Sequence, residues 1–177
     1  MKTLGKPRGE TMKAAPLVLL MMGSDTDLPT MQEAADILGI FDIPYEMRIS
    51  SAHRSPVRTM ALASEAAGRG IKIIIAGAGM AAHLAGVVAS KTILPVIGVP
   101  MPGGALNGLD ALYATVQMPG GIPVATMAIG KAGAKNAALF AAQILALSDQ
   151  HLASLLMRYR AEMDKDLEQK DADLQLR

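Results

Sequence analysis

Three features of this 177-residue chain predict an α/β fold with a parallel sheet wound on both faces. Short apolar runs alternate with helix-length segments from about residue 17 to residue 147, the βα order that builds parallel sheets. Runs such as Ile73-Ile74-Ile75 lack polar alternation, as strands covered on both faces do. Polar or glycine-rich loops follow the runs, at the strand ends where open α/β sheets bind ligands.

The elements follow in order. Residues 1–13 are polar, basic and aperiodic and read as a disordered extension, with Met12 a possible alternative start. Leu17 to Met22 is an unbroken apolar run and predicts a buried first strand. A helix from about Leu28 to Leu38 follows, then a strand over Tyr45 to Ile49, whose alternation suggests half-burial. Ser55 and Pro56 suit the N-cap and first turn of a helix running to Gly68. A β-branched strand from Ile71 to Ala76 leads to a helix from about Ala81 to Ser90. Val96 to Val99, a helix near Leu106 to Thr115, a strand from Val124 to Ile129 and a helix from Asn136 to Leu147 complete one α/β domain over residues 14–149. Beyond it, Leu152, Leu155, Leu156 and Tyr159 recur at helical spacing, so residues 150–177 read as a C-terminal helix with a solvated, charged tail.

Composition excludes several classes. A net charge of +1 with only three Tyr, two Phe and no Trp offers neither the basic footprint nor the stacking surfaces of a nucleic-acid binder. The absence of cysteine rules out disulfides and thiolate metal sites, and it suits a reducing cytoplasm. His53, His83 and His151 lack metal-ligand spacing and companion carboxylates, so no metal is expected. Ile73 to Ser90 carries no Asp, Glu, Lys or Arg and is long enough to span a membrane, yet Gly77, Gly79, His83 and Gly86 interrupt it. A strand, a loop and a small-residue helix account for it better. The run Leu17 to Met22, after Lys2, Lys6, Arg8 and Lys13, is too short for a secretory leader and precedes no small-residue cleavage site. Between Lys72 and Lys131 the only charged residues are Lys91 and Asp110. A domain of this size cannot hide so long a stretch internally, which predicts a core-like interface with further copies.

Three loops converge if the sheet is parallel. In Met22-Gly-Ser-Asp-Thr-Asp27, Gly23 allows a tight turn, and amides at the following helix start could hold a phosphate. Asp27 would then suit sugar hydroxyls. Helix capping by Ser24 and Asp25 explains the same residues equally well. Ser50 to Pro56 packs an imidazole, a guanidinium and three hydroxyls into seven residues. Arg54 offers a donor fork for phosphate or carboxylate, and His53 can exchange protons near neutrality. Ala76-Gly-Ala-Gly-Met-Ala-Ala-His83 has small residues that would let a ligand ring approach the backbone. Its Gly-x-Gly lacks the third glycine and the later acidic residue of a dinucleotide site, so no such cofactor is expected. Neither a nucleophile elbow nor a P-loop occurs.

Taken together, MGSDTD (22–27), SAHRSP (51–56), AGAGMAAHLAG (76–86), LPVIGVP (94–100), GLDAL, VQMPGGIPVAT and AIGKAGAKNAA resemble, in order, the 5-(carboxyamino)imidazole ribonucleotide mutases of de novo purine synthesis. The likeness covers about Leu17 to Leu147. It implies a flavodoxin-like three-layer fold, a homo-octamer, a cytoplasmic setting, and carboxyl transfer from the exocyclic nitrogen of the substrate to the neighbouring ring carbon without cofactor. A transient link to a carbamate-forming synthetase is a further implied partner. By motif position, His53 would be the general acid and base, Ser24 and Arg54 would hold the phosphate, and Asp27 the ribose hydroxyls. Ser51, Gly79 and His83 would line the base and carboxylate region.

Three segments depart from that pattern. Met80 stands where many relatives have glycine, Ala85 where they often have proline, and Met101-Pro-Gly-Gly104 replaces a V-x-S-type segment. The carboxylase branch, which adds carbon dioxide directly to aminoimidazole ribonucleotide, tends to have lysine after the histidine, whereas Arg54 follows the mutase pattern. A non-catalytic nucleotide-sensing module on the same fold is the alternative from a different class.

Overall fold

A computed structural model describes residues 15–176, so the proposed extension over residues 1–13 lies outside the described residues. Five parallel strands, β1 (Val18–Met22), β2 (Tyr45–Ile49), β3 (Ile73–Ala78), β4 (Val96–Pro100) and β5 (Ala125–Thr126), form one sheet in the order β2-β1-β3-β4-β5. Among the described residues, six α-helices accompany them: α1 (Leu28–Ile40), α2 (Pro56–Glu65), α3 (Leu84–Ala89), α4 (Leu109–Val116), α5 (Lys131–Ala146) and α6 (Gln150–Gln175). This is the doubly wound, flavodoxin-like arrangement.

Strand pleating explains the unbroken apolar runs. Val18, Leu20 and Met22 point to one face, with Ile73 and Ile75, under α1, α5 and the start of α6. Leu19 and Met21 point to the other, with Ile74 and Ala76, under α2 and α3. Successive side chains leave a strand on opposite faces, so two covered faces demand apolar residues at every position. β1 and Ile73 to Ile75 are accordingly at most 1% exposed. Gly98 supplies bare backbone in the middle of β4, because a Cβ there would collide with Cγ2 of Thr115 on α4.

Several expectations shift. β5 is two residues long, where a strand over Val124 to Ile129 was expected. It lies at the sheet edge, and only Ala125 and Thr126 are in register with β4. α3 starts at Leu84 rather than Ala81, since residues 79–82 form the turn that carries the chain away from β3. α5 starts at Lys131, a turn earlier than expected, with Gly130 at its N-cap. β2 is an edge strand whose Tyr45 and Ile49 are exposed while Met47 packs on the core, so alternation there did not produce a closed face. Ile73 to Ser90 is β3, a loop and α3, and no described helix is long and apolar enough to cross a membrane.

Candidate active site

β1 and β3 are neighbours, yet the chain leaves them toward opposite faces, into α1 after β1 and into α3 after β3. Their loops therefore part and leave a crevice at the carboxyl edge, which the loop after β2 closes from the side. The result is a cleft of about 400 Å³ lined by Gly23, Ser24, Thr26 and Asp27, by Ser51 to Arg54, and by Ala78 to Ala81 with Leu84. Six of the seven expected site residues line this cleft. The seventh, His83, reaches it by contact with His53.

The imidazoles of His53 and His83 meet edge to face, with centroids 4.9 Å apart, and Nε2 of His53 lies 2.8 Å from Nδ1 of His83. A hydrogen bond at that distance needs one proton between the two nitrogens, so one ring donates and the other accepts. While the bond lasts, both rings cannot be imidazolium. The pair can thus pass a proton between Nε2 of His53 and Nδ1 of His83, and His53 lines the cleft.

The His53 loop rests on a hydroxyl ladder. Ser50 and Thr59 are two of the three buried polar side chains among the described residues, and their hydroxyls lie 2.8 Å apart. Ser55 Oγ accepts from the Ser51 amide at 3.0 Å and donates to the Ser51 carbonyl at 3.1 Å. Ser55 does stand at the N-cap of α2, but its hydroxyl makes no capping bond, being spent on Ser51 instead. Ser51 Oγ in turn accepts from the Arg54 amide at 3.1 Å. Thr59 was not anticipated from the sequence. Its spacing of four from Ser55 on a helix was the available signal.

Arg54 ties two loops together, because its Nη2 donates to the Gly23 carbonyl at 2.8 Å. On the first loop, the capping that Ser24 and Asp25 were expected to offer is present. Ser24 Oγ accepts from the Thr26 amide and donates to Asp25, while Asp27 accepts from the Ser24 amide, a reciprocal capping box around one 3-10 turn. The Ser24 and Thr26 amides are therefore already engaged by neighbouring side chains. Positive charge at this end of the cleft comes from Arg54. Burial raises Asp27 above the usual carboxylate range, and the amides of Ser24 and Gly23 with the Arg54 charge only partly offset it.

A larger cleft, about 760 Å³, lies at the amino-terminal edge of the sheet against Ser90 to Leu94 and Gly121 to Pro123. Among the described residues that line it, Lys91 is the only charged one. No three His, Cys, Asp or Glu side chains among the described residues are grouped to hold a metal ion.

The AIR carboxylase family profile matches residues 17–166. N5-carboxyaminoimidazole ribonucleotide mutase of Pyrococcus horikoshii is 56% identical over 155 residues, 88% of this chain and 86% of that protein. The mutase of the same name from Bacillus subtilis is 58% identical over 141 residues, covering 80% and 87%. Among solved structures, Treponema denticola PurE superposes with a TM-score of 0.81 at 31% identity, over 90% of this chain and 98% of that one. A profile spanning most of the chain, relatives above 50% identity and a shared architecture lead to one conclusion: this chain belongs to the AIR carboxylase family.

Proposed function

We propose that the chain is an N5-carboxyaminoimidazole ribonucleotide mutase of purine biosynthesis, an isomerase that moves the carbamate carboxyl to the adjacent ring carbon. The observation that carries this reading is the hydrogen-bonded His53 and His83 pair beside Arg54 and Asp27 in a chain more than half identical to proteins of that name.

Arg54 and Ser24 bind the phosphate, with Ser24 exchanging its bond to Asp25 for a phosphate oxygen. Asp27 accepts from the ribose hydroxyls, and Ser51, Gly79 and His83 border the base and carboxylate. His53 protonates the departing nitrogen as the carbamate C–N bond breaks, which frees carbon dioxide and the amine. The ring carbon then attacks the carbon dioxide, and His53 takes the proton from that carbon. One proton leaves His53 and one returns, so a single base serves both steps. Holding the gas beside its acceptor converts recapture into an effectively intramolecular step.

The same reading carries a homo-octamer in the cytoplasm and a transient link to the synthetase that makes the carbamate. Exposed Ile93, Leu106, Leu109, Tyr113 and Val116, all within the charge-poor stretch, support the assembly. A monomer by light scattering at micromolar concentration would remove that element.

The test is turnover of N5-carboxyaminoimidazole ribonucleotide at low bicarbonate, in parallel with aminoimidazole ribonucleotide plus bicarbonate. Product from the carbamate supports the mutase. Product only from the second mixture moves the chain to the carboxylase branch, and tight binding without product from either marks a nucleotide-sensing module.

A further inference from the structure

Among the described residues, three that are not glycine have a positive φ: Asp42 at 52°, Met80 at 52° and Asn107 at 50°. Asp and Asn visit this left-handed region readily because their short side chains bond locally, but methionine does not. Met80 is therefore the backbone outlier, and it lies on the wall of the cleft that holds His53 and Arg54. Strained conformations of this kind persist where the surroundings over-determine them, and they cluster at functional sites.

Met80 is 63% exposed, an unusual placement for a thioether beside polar groups. It lies across the loop that follows β4. A Cβ added at Gly104 would stand 3.2 Å from Met80 Cγ and 3.7 Å from its sulfur, so the absence of a side chain at Gly104 leaves the space Met80 occupies. Gly103, Gly104 and Gly108 all have positive φ, and residues 102–107 are exposed. Met80 thus spans two loops from adjacent strands, at the mouth of the cleft, with an unbranched and adaptable side chain.

We propose that Met80 is a gate that retains carbon dioxide during carboxyl transfer. This rests on the mutase reading and adds a determinant to it. Carbon dioxide is neutral and has no hydrogen to donate, so a polar clamp holds it weakly, and what keeps it is an apolar barrier to solvent. The reaction needs the gas twice: the carbamate C–N bond breaks as the nitrogen gains a proton, and a C–C bond forms as the ring carbon loses one. Atoms and charge balance without a co-reactant whether the gas recaptured is the molecule just released or one drawn from solution, so retention is read as the absence of exchange. Met80 lines this cleft, and its side chain occupies the space beside Gly104 on the loop after β4, where the gas would otherwise leave.

The experiment converts unlabelled carbamate substrate in 13C-bicarbonate, with carbonic anhydrase present, and reads 13C in the product carboxyl after subtraction of the enzyme-free background. Wild type, Met80→Gly and Met80→Leu are compared. Glycine accepts the left-handed backbone without strain, so Met80→Gly should melt no lower than the parent. Exchange per turnover is expected to rise about tenfold in Met80→Gly, the factor that about 1.4 kcal/mol of lost barrier to escape would give, and to stay near the parent value in Met80→Leu. Equal label in parent and Met80→Gly overturns the gate while leaving the mutase intact, as does a Met80→Leu enzyme that leaks like Met80→Gly. A parent enzyme that leaves the carbamate unconverted overturns the mutase reading and the gate with it.

Discussion

The two edges of the sheet hold clefts of opposite character. The carboxyl-edge cleft, about 400 Å³, gathers an acid, a guanidinium and an imidazole, with a second imidazole hydrogen-bonded to the first, while the amino-edge cleft of about 760 Å³ has Lys91 alone. Size and chemistry therefore point to different places. In a doubly wound sheet the connection that leaves a strand is free to carry function, whereas the one that enters it must deliver the chain in register. Convergent titratable groups, not volume, are what mark the carboxyl edge as the candidate site.

His53→Asn should break the comparison most severely. It removes proton transfer while keeping a polar side chain of similar reach, so turnover falls about a hundredfold to ten-thousandfold with nucleotide affinity largely retained. Near-normal turnover would refute the catalytic role. Arg54→Lys is next. It keeps the charge but loses the fork that holds Gly23 and is proposed to bind phosphate, and kcat/KM should drop about tenfold to a hundredfold, mainly through KM. A variant that alters kcat and spares KM would move Arg54 from binding to chemistry.

Asp27→Asn sharpens the comparison through pH. Burial raises the Asp27 pKa in the folded protein above its ordinary 3.8. A carboxyl shifted in that direction contributes stability below its unfolded value and loses it as pH rises through the folded value. The ionised form is thus a cost at neutral pH, carried for the sake of the site. Relative to the parent, the Tm of Asp27→Asn should climb as pH rises across that window, while substrate KM worsens. A Tm difference that is flat with pH would contradict the assigned cause. Lys91→Ala, in the larger cleft, should leave both kinetic constants where they are, and any substantial loss of turnover would give that edge a part in the reaction.

Much of this was legible in the residues, and the reasons are local. Unbroken β-branched runs such as Ile73 to Ile75 announce two-faced burial, and Tyr45 to Ile49 matched its strand to the residue. Ser51 to Arg54 stood out because so many functional groups rarely crowd an ordinary loop. What was not legible depends on distance through space. Thirty residues separate His53 from His83, and nothing in either loop reveals that their nitrogens come within 2.8 Å. The engagement of the Ser24 and Thr26 amides was hidden for another reason: capping and anion binding use the same residue types, so only coordinates separate them. β5 shrank to Ala125–Thr126, the two residues that keep register with β4.

The most direct test of which edge reacts is amide hydrogen exchange with and without saturating carboxyaminoimidazole ribonucleotide. Slowed exchange at residues 22–27, 50–55 and 76–84, with residues 90–94 and 119–124 unchanged, is the result this account predicts. Protection confined to residues 90–94 and 119–124 would place the nucleotide at the larger cleft and contradict the account.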